Sequence, residues 1–329
     1  MKVSNTGSWA TFAGALALTA TAHAQTATDY PNRPVRVVVP QGPGGGTDIQ
    51  ARMFSTRISQ LLGQQFVIDN RVGGGAAGVS AAALVARSSP DGYNLLAITP
   101  SFTFSPALYK DYPFDPIKDF TPVSLLTRAP YLLVVNASST FKSAKDLIAL
   151  ARAQPGKLNF GAGNIGTGTH LVTEWFISAA GIKATYVPYK STGPAMLDLI
   201  GGRLDGALTN VLSSGPHVKS GKLRALGIST IQRSKVLPDL ATLAEQGVVG
   251  YNAATFHGYV AAPRTPAAII NKLSAAYTRV VRTPEMAEQL SEDGGEPVGS
   301  SHEEFRRQIA AETQLWRKLV QDVGIKIQN

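Results

Sequence analysis

Cysteine is absent from the 329-residue sequence. That excludes disulfides, thiolate metal ligation, a cysteine nucleophile and a lipidated N-terminal cysteine. Charge is sparse, at 16% Asp, Glu, Lys and Arg, and acids are scarcer than bases, giving a formal net charge of +9. Lys and Arg are dispersed rather than clustered, which argues against a nucleic-acid-binding tail. Diffuse positive charge suits acidic ligands or an anionic surface. Beyond the N-terminus no apolar run reaches the roughly 18–20 residues of a membrane helix. What is present is 44% hydrophobic residues, enough for real cores, in a length that suggests two domains.

The N-terminus reads as a targeting segment. Lys2 is the only charge before Asp29, and Trp9 to Ala22 is apolar or small. Ala22-His23-Ala24 then fits the small-x-small cleavage rule, and polar Gln25-Thr26 follows. Residues 1–24 are therefore expected to be a cleaved signal peptide, leaving an exported, soluble chain located in the periplasm.

Strand and helix patterns alternate along the rest. Val35–Val39 is a β-branched run, hence a buried strand. Gly42-Pro43-Gly44-Gly45-Gly46 breaks it, and Thr47 is placed to cap a helix carrying Phe54, Ile58, Leu61 and Leu62. Strands at Gln65–Asp69 and Asn94–Thr99 follow, with a small-residue helix through Ala81–Ala86 between them. The rhythm restarts with a strand at Leu132–Val135, a helix capped by Ser143 and Asp146, and Lys157–Gly161 leading into a glycine turn. Ala184–Pro188, Leu204–Thr209, Arg224–Ser229 and Gly258–Ala261 are further strands. The last third is helical, opening at Thr265-Pro266, at Thr283-Pro284 and at the Ser301/Glu304 capping box. Phe305 and Trp316 read as core. Strand–turn–helix repetition implies an α/β protein with parallel or mixed sheets flanked by helices.

Gly161-x-Gly163-x-x-Gly166 mimics a dinucleotide fingerprint. That fingerprint needs an acid about 20 residues on, at the end of the next strand. Ala184 to Tyr189 contains none, so no nucleotide cofactor is expected. The turn itself still presents backbone N–H groups at a helix N-terminus, where an anion is favoured. Gly44-Gly45-Gly46-Thr47 is a second such turn. Tight-turn geometry alone would also account for either one. Asp48, in the first turn of its helix, compensates the helix dipole or holds a water or ligand amine. No His-Glu-x-x-His, Gly-x-Ser-x-Gly or phosphate-binding loop occurs. Ser139-x-x-Lys142 lacks the companion motifs of a β-lactamase. No metal site or catalytic residue is expected.

These loops, in order, resemble the Bug family, the extracytoplasmic solute receptors of tripartite tricarboxylate transporters. Tyr30-Pro31-x-x-Pro34, Pro43-Gly44-Gly45-Gly46-Thr47-Asp48, Leu62-Gly63-Gln64, Asp69-Asn70-Arg71 and Pro90-Asp91-Gly92-Tyr93 carry the likeness in the first half. Asp119 to Val123, Pro155 to Asn159, Val187-Pro188-Tyr189-Lys190, Gly221 to Leu226 and Leu237-Pro238-Asp239 continue it.

The resemblance implies a two-lobe periplasmic-binding fold of the second type, with a cleft and hinge between lobes. Residues 25–128 and 256–329 would form lobe I and residues 129–255 lobe II, with crossing segments near Thr127 and Phe256. It implies a non-enzymatic, monomeric receptor for a small carboxylate that works with integral membrane transporter subunits, with no cofactor and no nucleic acid. Mapped onto this chain, the ligand loops are Gly44, Gly45, Gly46 and Thr47 with Asp48 behind them, and Gly163, Gly166, Thr167, Gly168, Thr169 and His170. Ser101, Phe102 and Thr103 would face the same cleft, as would Tyr189, Thr192 and Asn210. Gln41-Gly42 stands where an aromatic and a Pro are usual, and Phe102 and Phe104 where smaller polar residues are common. As a strand-like continuation, Phe102 and Phe104 would share a face. They either pack in the core or wall the pocket, and a wall favours a monocarboxylate or aromatic dicarboxylate over a tricarboxylate. An exported enzyme on the same lobes, or a receptor that presents ligand to a membrane sensor, remain the alternatives.

Overall fold

A computed structural model describes Met1 and residues 29–44, 46–73, 78–292 and 294–323. Residues 2–24 of the expected signal peptide and Gly45 lie outside the described residues.

The β-branched run forms β1 (Val35–Val39). It is followed by α1 (Gly46–Leu62), β2 (Phe66–Asn70), α2 (Val79–Ala86), β3 (Asn94–Ile98) and α3 (Pro100–Leu108). The middle of the chain holds β4 (Thr121–Asn136), α4 (Ala144–Ala153), β5 (Asn159–Gly161) and α5 (Gly168–Ala179). Then come β6 (Thr185–Val187), α6 (Thr192–Ile200), β7 (Ala207–Asn210), α7 (Val211–Lys219) and β8 (Leu223–Ile228). The chain closes with β9 (Ala254–Ala261), α8 (Ala267–Val281), α9 (Pro284–Glu292), β10 (Glu296–Pro297) and α10 (His302–Val323). Both expected capping boxes form, at Ser143/Asp146 and Ser301/Glu304.

The first lobe is built on the order β2-β1-β3-β9-β4-β10. β1 runs parallel to β2 and β3, and β9 runs antiparallel to both β3 and β4. In the second lobe β7 and β8 flank the far half of β4. The parallel pair β5-β6 joins β7 through a Phe160↔Gly206 bridge, so the order there is β6-β5-β7-β4-β8. The fold is thus a two-lobe α/β periplasmic-binding architecture in which β4 belongs to both sheets.

The sequence suggested a strand only at Leu132–Val135, but β4 spans 16 residues. Pro122 and Pro130 look like strand breakers. Here register shifts between Pro122 and Ser124 and between Leu125 and Thr127 absorb the irregularity, and the strand bends without ending. Opposite it, β9 starts at Ala254 and pairs Thr127 with His257, Arg128 with Phe256 and Ala129 with Thr255.

Two apolar clusters sandwich the first sheet. One contains Val37, Phe54, Leu95, Leu273 and Tyr277, and the other Val38, Leu96, Phe102, Phe120 and Phe305. A third cluster is shared between lobes. Phe104 and Trp316 join Phe160, Trp175, Phe176 and Tyr251, with Trp316 5.7 Å from Phe104 and 5.8 Å from Trp175, ring to ring. The long α10 therefore ties the lobes together along the hinge side.

Candidate functional site: the interlobe cleft

A cleft of about 450 Å³ lies between the lobes. It is bounded by the C-terminal ends of the parallel strands, where open α/β sheets place their ligand crevices. Helix N-termini meet there. Gly46 and Thr47 open α1, Thr99 and Pro100 open α3, and Thr167 to Thr169 open α5. Ser191 to Gly193 open α6, and Asn210 to Ser213 open α7. Each brings unsatisfied N–H groups and the positive end of a peptide dipole.

The glycine turn before α5 is held open by its own side chains. Gly163 N–H donates to Thr169 Oγ1 at 3.1 Å, and Gly166 N–H to His170 Nδ1 at 3.3 Å. Thr167 N–H donates to Asn164 O, and the Thr167 hydroxyl caps the helix by accepting from His170 N–H. A Cβ on Gly163 would sit 2.8 Å from both threonine hydroxyls, and Gly166 has φ +82°; neither position takes a side chain without strain. With those amides engaged, the N–H groups of Gly168 and Thr169 are left without a partner in the described chain. These two lie at the first turn of α5, beside the cleft.

His170 is buried behind this turn, 4.7 Å from the Tyr186 ring. Burial pushes its imidazole down to about 4. Accepting the Gly166 N–H at Nδ1, it is neutral with its proton on Nε2. It braces the turn and does not line the cleft. Asp48 does the same for the first turn. Its buried carboxylate accepts from Gly44 N–H, Arg52 Nε and Asn70 Nδ2, each at 2.9 Å. Burial opposes its ionisation, but these donors outweigh burial and hold the carboxyl below the usual range. Gly44 and Gly166 likewise shape the turns without lining the cleft.

Of the residues singled out from the sequence, Gly46, Thr47, Gly163, Thr167, Gly168, Thr169, Thr192 and Asn210 line the cleft. Asn210 Oδ1 accepts Ser213 N–H at the start of α7, which leaves its NH₂ group as the free donor. Tyr189 turns away, its hydroxyl donating to Asp198 at 2.7 Å.

Residues 101–103 are the clearest correction. The chain after β3 is a helix from Pro100, not an extended continuation, because Pro at the first helical position favours that geometry. Thr99 and Pro100 reach the cleft, whereas Ser101, Phe102 and Thr103 do not line it. Residues two apart on a helix point to nearly opposite sides. Phe102 accordingly packs on Phe120 in the first lobe's core, and Phe104 on Trp316 in the shared core. The rings do not form a common wall.

The sequence reading passed over the cleft floor, which the crossing strands supply. Thr127, Ala129 and Tyr131 come from β4, and Thr255 and His257 from β9. The Tyr131 hydroxyl abuts Gly168, where an added Cβ would be 2.9 Å away. Burial brings His257 down to about 4, so it too is neutral. Gln41, Gln50, Asn164, Lys190, Ser191 and Ser213 complete the polar lining. The expected crossings near Thr127 and Phe256 were the available signal for the floor. Among the described residues no Asp, Glu or Arg lines the cleft, and Lys190 is the one lysine that does. No His, Asp and Glu cluster suited to a metal ion occurs among the described residues.

The fold and this cleft define a solute-binding protein of the two-lobe periplasmic type. Residues 50–325 match the family model described as "Tripartite tricarboxylate transporter family receptor", and the chain belongs to that family, which includes the Bug proteins. It is 34% identical to protein BugT of Bordetella pertussis over 304 residues, 92% of this chain and 93% of that one. Among solved structures it is similar to R. palustris Rpa4515 with adipate, at 37% identity and TM-score 0.81, covering 91% and 99% of the two chains. It is also similar to the periplasmic binding protein BugD, at 30% identity and TM-score 0.78, covering 91% and 100%. MatC from Rhodopseudomonas palustris with bound malate gives 29% identity and TM-score 0.76, covering 88% and 100%.

Proposed function

We propose that this protein captures a small carboxylate in the interlobe cleft and delivers it, as a monomer in the periplasm, to the membrane subunits of a tripartite transporter. The carrying observation is the convergence of helix N-termini on a cleft that no carboxylate side chain of the described residues lines. In such a site an anion replaces its hydration with fixed N–H donors and dipoles, above all Gly168 and Thr169 of α5. The adipate and malate bound by similar proteins support the same ligand class. Residues 25–128 with 256–329, and residues 129–255, are the two lobes in this reading, and residues 1–24 direct export. The neutral histidines and braced hydroxyls serve binding, so the ligand leaves unchanged.

A thermal-shift screen of residues 25–329 against mono-, di- and tricarboxylates tests this. A carboxylate at 100 times its dissociation constant stabilises by about 2.7 kcal/mol, and it is recovered intact afterwards. Stabilisation by neutral sugars or metal ions alone, or turnover of the bound acid, would refute the proposal.

A further inference from the structure

Early in α1 a polar residue interrupts an apolar stripe. Gln50, Ala51, Phe54 and Ile58 fall on one buried face of the helix. Ala51, Phe54 and Ile58 belong to the first lobe's core. Gln50, on the same face, is only 7% exposed, where helical spacing favours an apolar side chain.

The Gln50 carboxamide is half satisfied. The Thr127 hydroxyl donates to its Oε1 at 3.1 Å in a buried contact. Its NH₂ group has no partner among the described residues, and a buried donor left unpaired is destabilising. Gln50 borders two spaces. One is a void of about 10 Å³ beneath it, walled mainly by apolar residues such as Phe54, Ala97 and Leu126, at the lower limit for a single water. The other is the cleft. Thr127, Ala129 and Tyr131 alternate along β4 and so share the face that floors the cleft. Gln50 bonds the Thr127 end of that floor, and Gly168 abuts the Tyr131 hydroxyl. The first lobe thus brings a side-chain donor to the same floor on which the second lobe sets the first turn of α5.

We infer that Gln50 is the first lobe's side-chain contact to the bound acid, its NH₂ group donating to an acceptor oxygen of that molecule. This rests on the carboxylate-receptor reading above and adds to it the residue through which the first lobe recognises what is bound. A carboxylate, carbonyl or hydroxyl oxygen can take the bond, whereas an alkyl or ammonium group cannot. The bond to Thr127 fixes the carboxamide so that its donor face is set before binding.

The test starts from a thermal-shift panel of acetate, hexanoate, succinate, adipate, malate, citrate and benzoate with residues 25–329. The acid that shifts the wild type most is titrated calorimetrically into two variants. Gln50→Leu combined with Thr127→Val removes both partners of the buried bond together, so its unfolding midpoint without acid should stay near the wild-type value. Its affinity for the acid should fall about tenfold. Gln50→Glu keeps an acceptor for the Thr127 hydroxyl but replaces the donor by an oxygen, and it should lose more than the double variant. Wild-type affinity in either variant overturns the inference. A binding loss that comes with a lowered acid-free midpoint in both variants also overturns it, since that marks a packing role. No shift with any acid of the panel overturns the receptor reading, and this inference with it.

Discussion

Replacing Asp48 with alanine should loosen the first glycine turn without removing any group that lines the cleft. The carboxylate is 1% exposed and accepts three hydrogen bonds, from Gly44 N–H, Arg52 and Asn70. A hydrogen bond to a charged group nets about 1.5–3 kcal/mol, and the freed donors near the surface recover part of it from water. We therefore expect Asp48→Ala to cost about 2–3 kcal/mol of folding stability and to weaken binding further by freeing Gly44. The pH dependence carries its own sign. Because the folded carboxyl is held below its usual range, its contribution is complete above the unfolded value of about 3.9. It is lost as pH falls through the folded value. Asp48→Asn should have a shallower acid limb than the wild type. Urea denaturation across acid pH, read by tryptophan fluorescence, measures both quantities. Wild-type stability in Asp48→Ala, or an unchanged acid limb in Asp48→Asn, would refute the bracing role.

Gly294, at φ +75° after α9, approaches α7 so closely that a Cβ would lie 2.2 Å from Val211 Cγ1. Gly294→Ala should cost about 2–4 kcal/mol through left-handed strain and overlap and enlarge the radius seen by small-angle scattering; no change in either measurement would contradict the contact. Burial pushes Glu312, which accepts from Thr103 and Gln308 and lies near Arg128, up to about 7. The folded state then keeps a proton that the unfolded state loses, so this group lowers stability as pH rises from about 4.3 to about 7. Glu312→Gln should remove that slope, as denaturation midpoints at about pH 5 and about pH 8 would reveal.

How much was legible varies along the chain for physical reasons. Val35–Val39 announces a buried strand because composition and turn signals agree over a short range. The caps at Ser143 and Ser301 involve residues three apart, so they too are local. The stretch from Thr121 to Asn136 misleads because its prolines argue for breaks. Pairing with β9, β7 and β8 outweighs that local preference. At 101–104 alternation of Phe and small residues suggests a strand. The helix that forms instead lets the two rings enter different cores.

The candidate site divides in the same way. The glycine turns could be found in the sequence because a tight turn into a helix is written in neighbouring residues. Which atoms the turns offer could not. Whether Gly166 N–H points to a ligand or to His170, and whether the carboxylate of Asp48 faces a ligand or Gly44, Arg52 and Asn70, depends on a few ångströms of side-chain placement.

The sequence by itself determined the alternation of strand and helix, the two glycine turns and the family likeness, because each is encoded in local patterns and their order. Tertiary structure alone decided that β4 and β9 form the cleft floor, that Tyr131 meets Gly168, and that Phe102 and Phe104 turn inward. It also left Lys190 as the one lysine in the lining among the described residues. These outcomes follow from pairing and packing between residues far apart in the chain, whose energies exceed local preference and leave no periodic trace in the sequence.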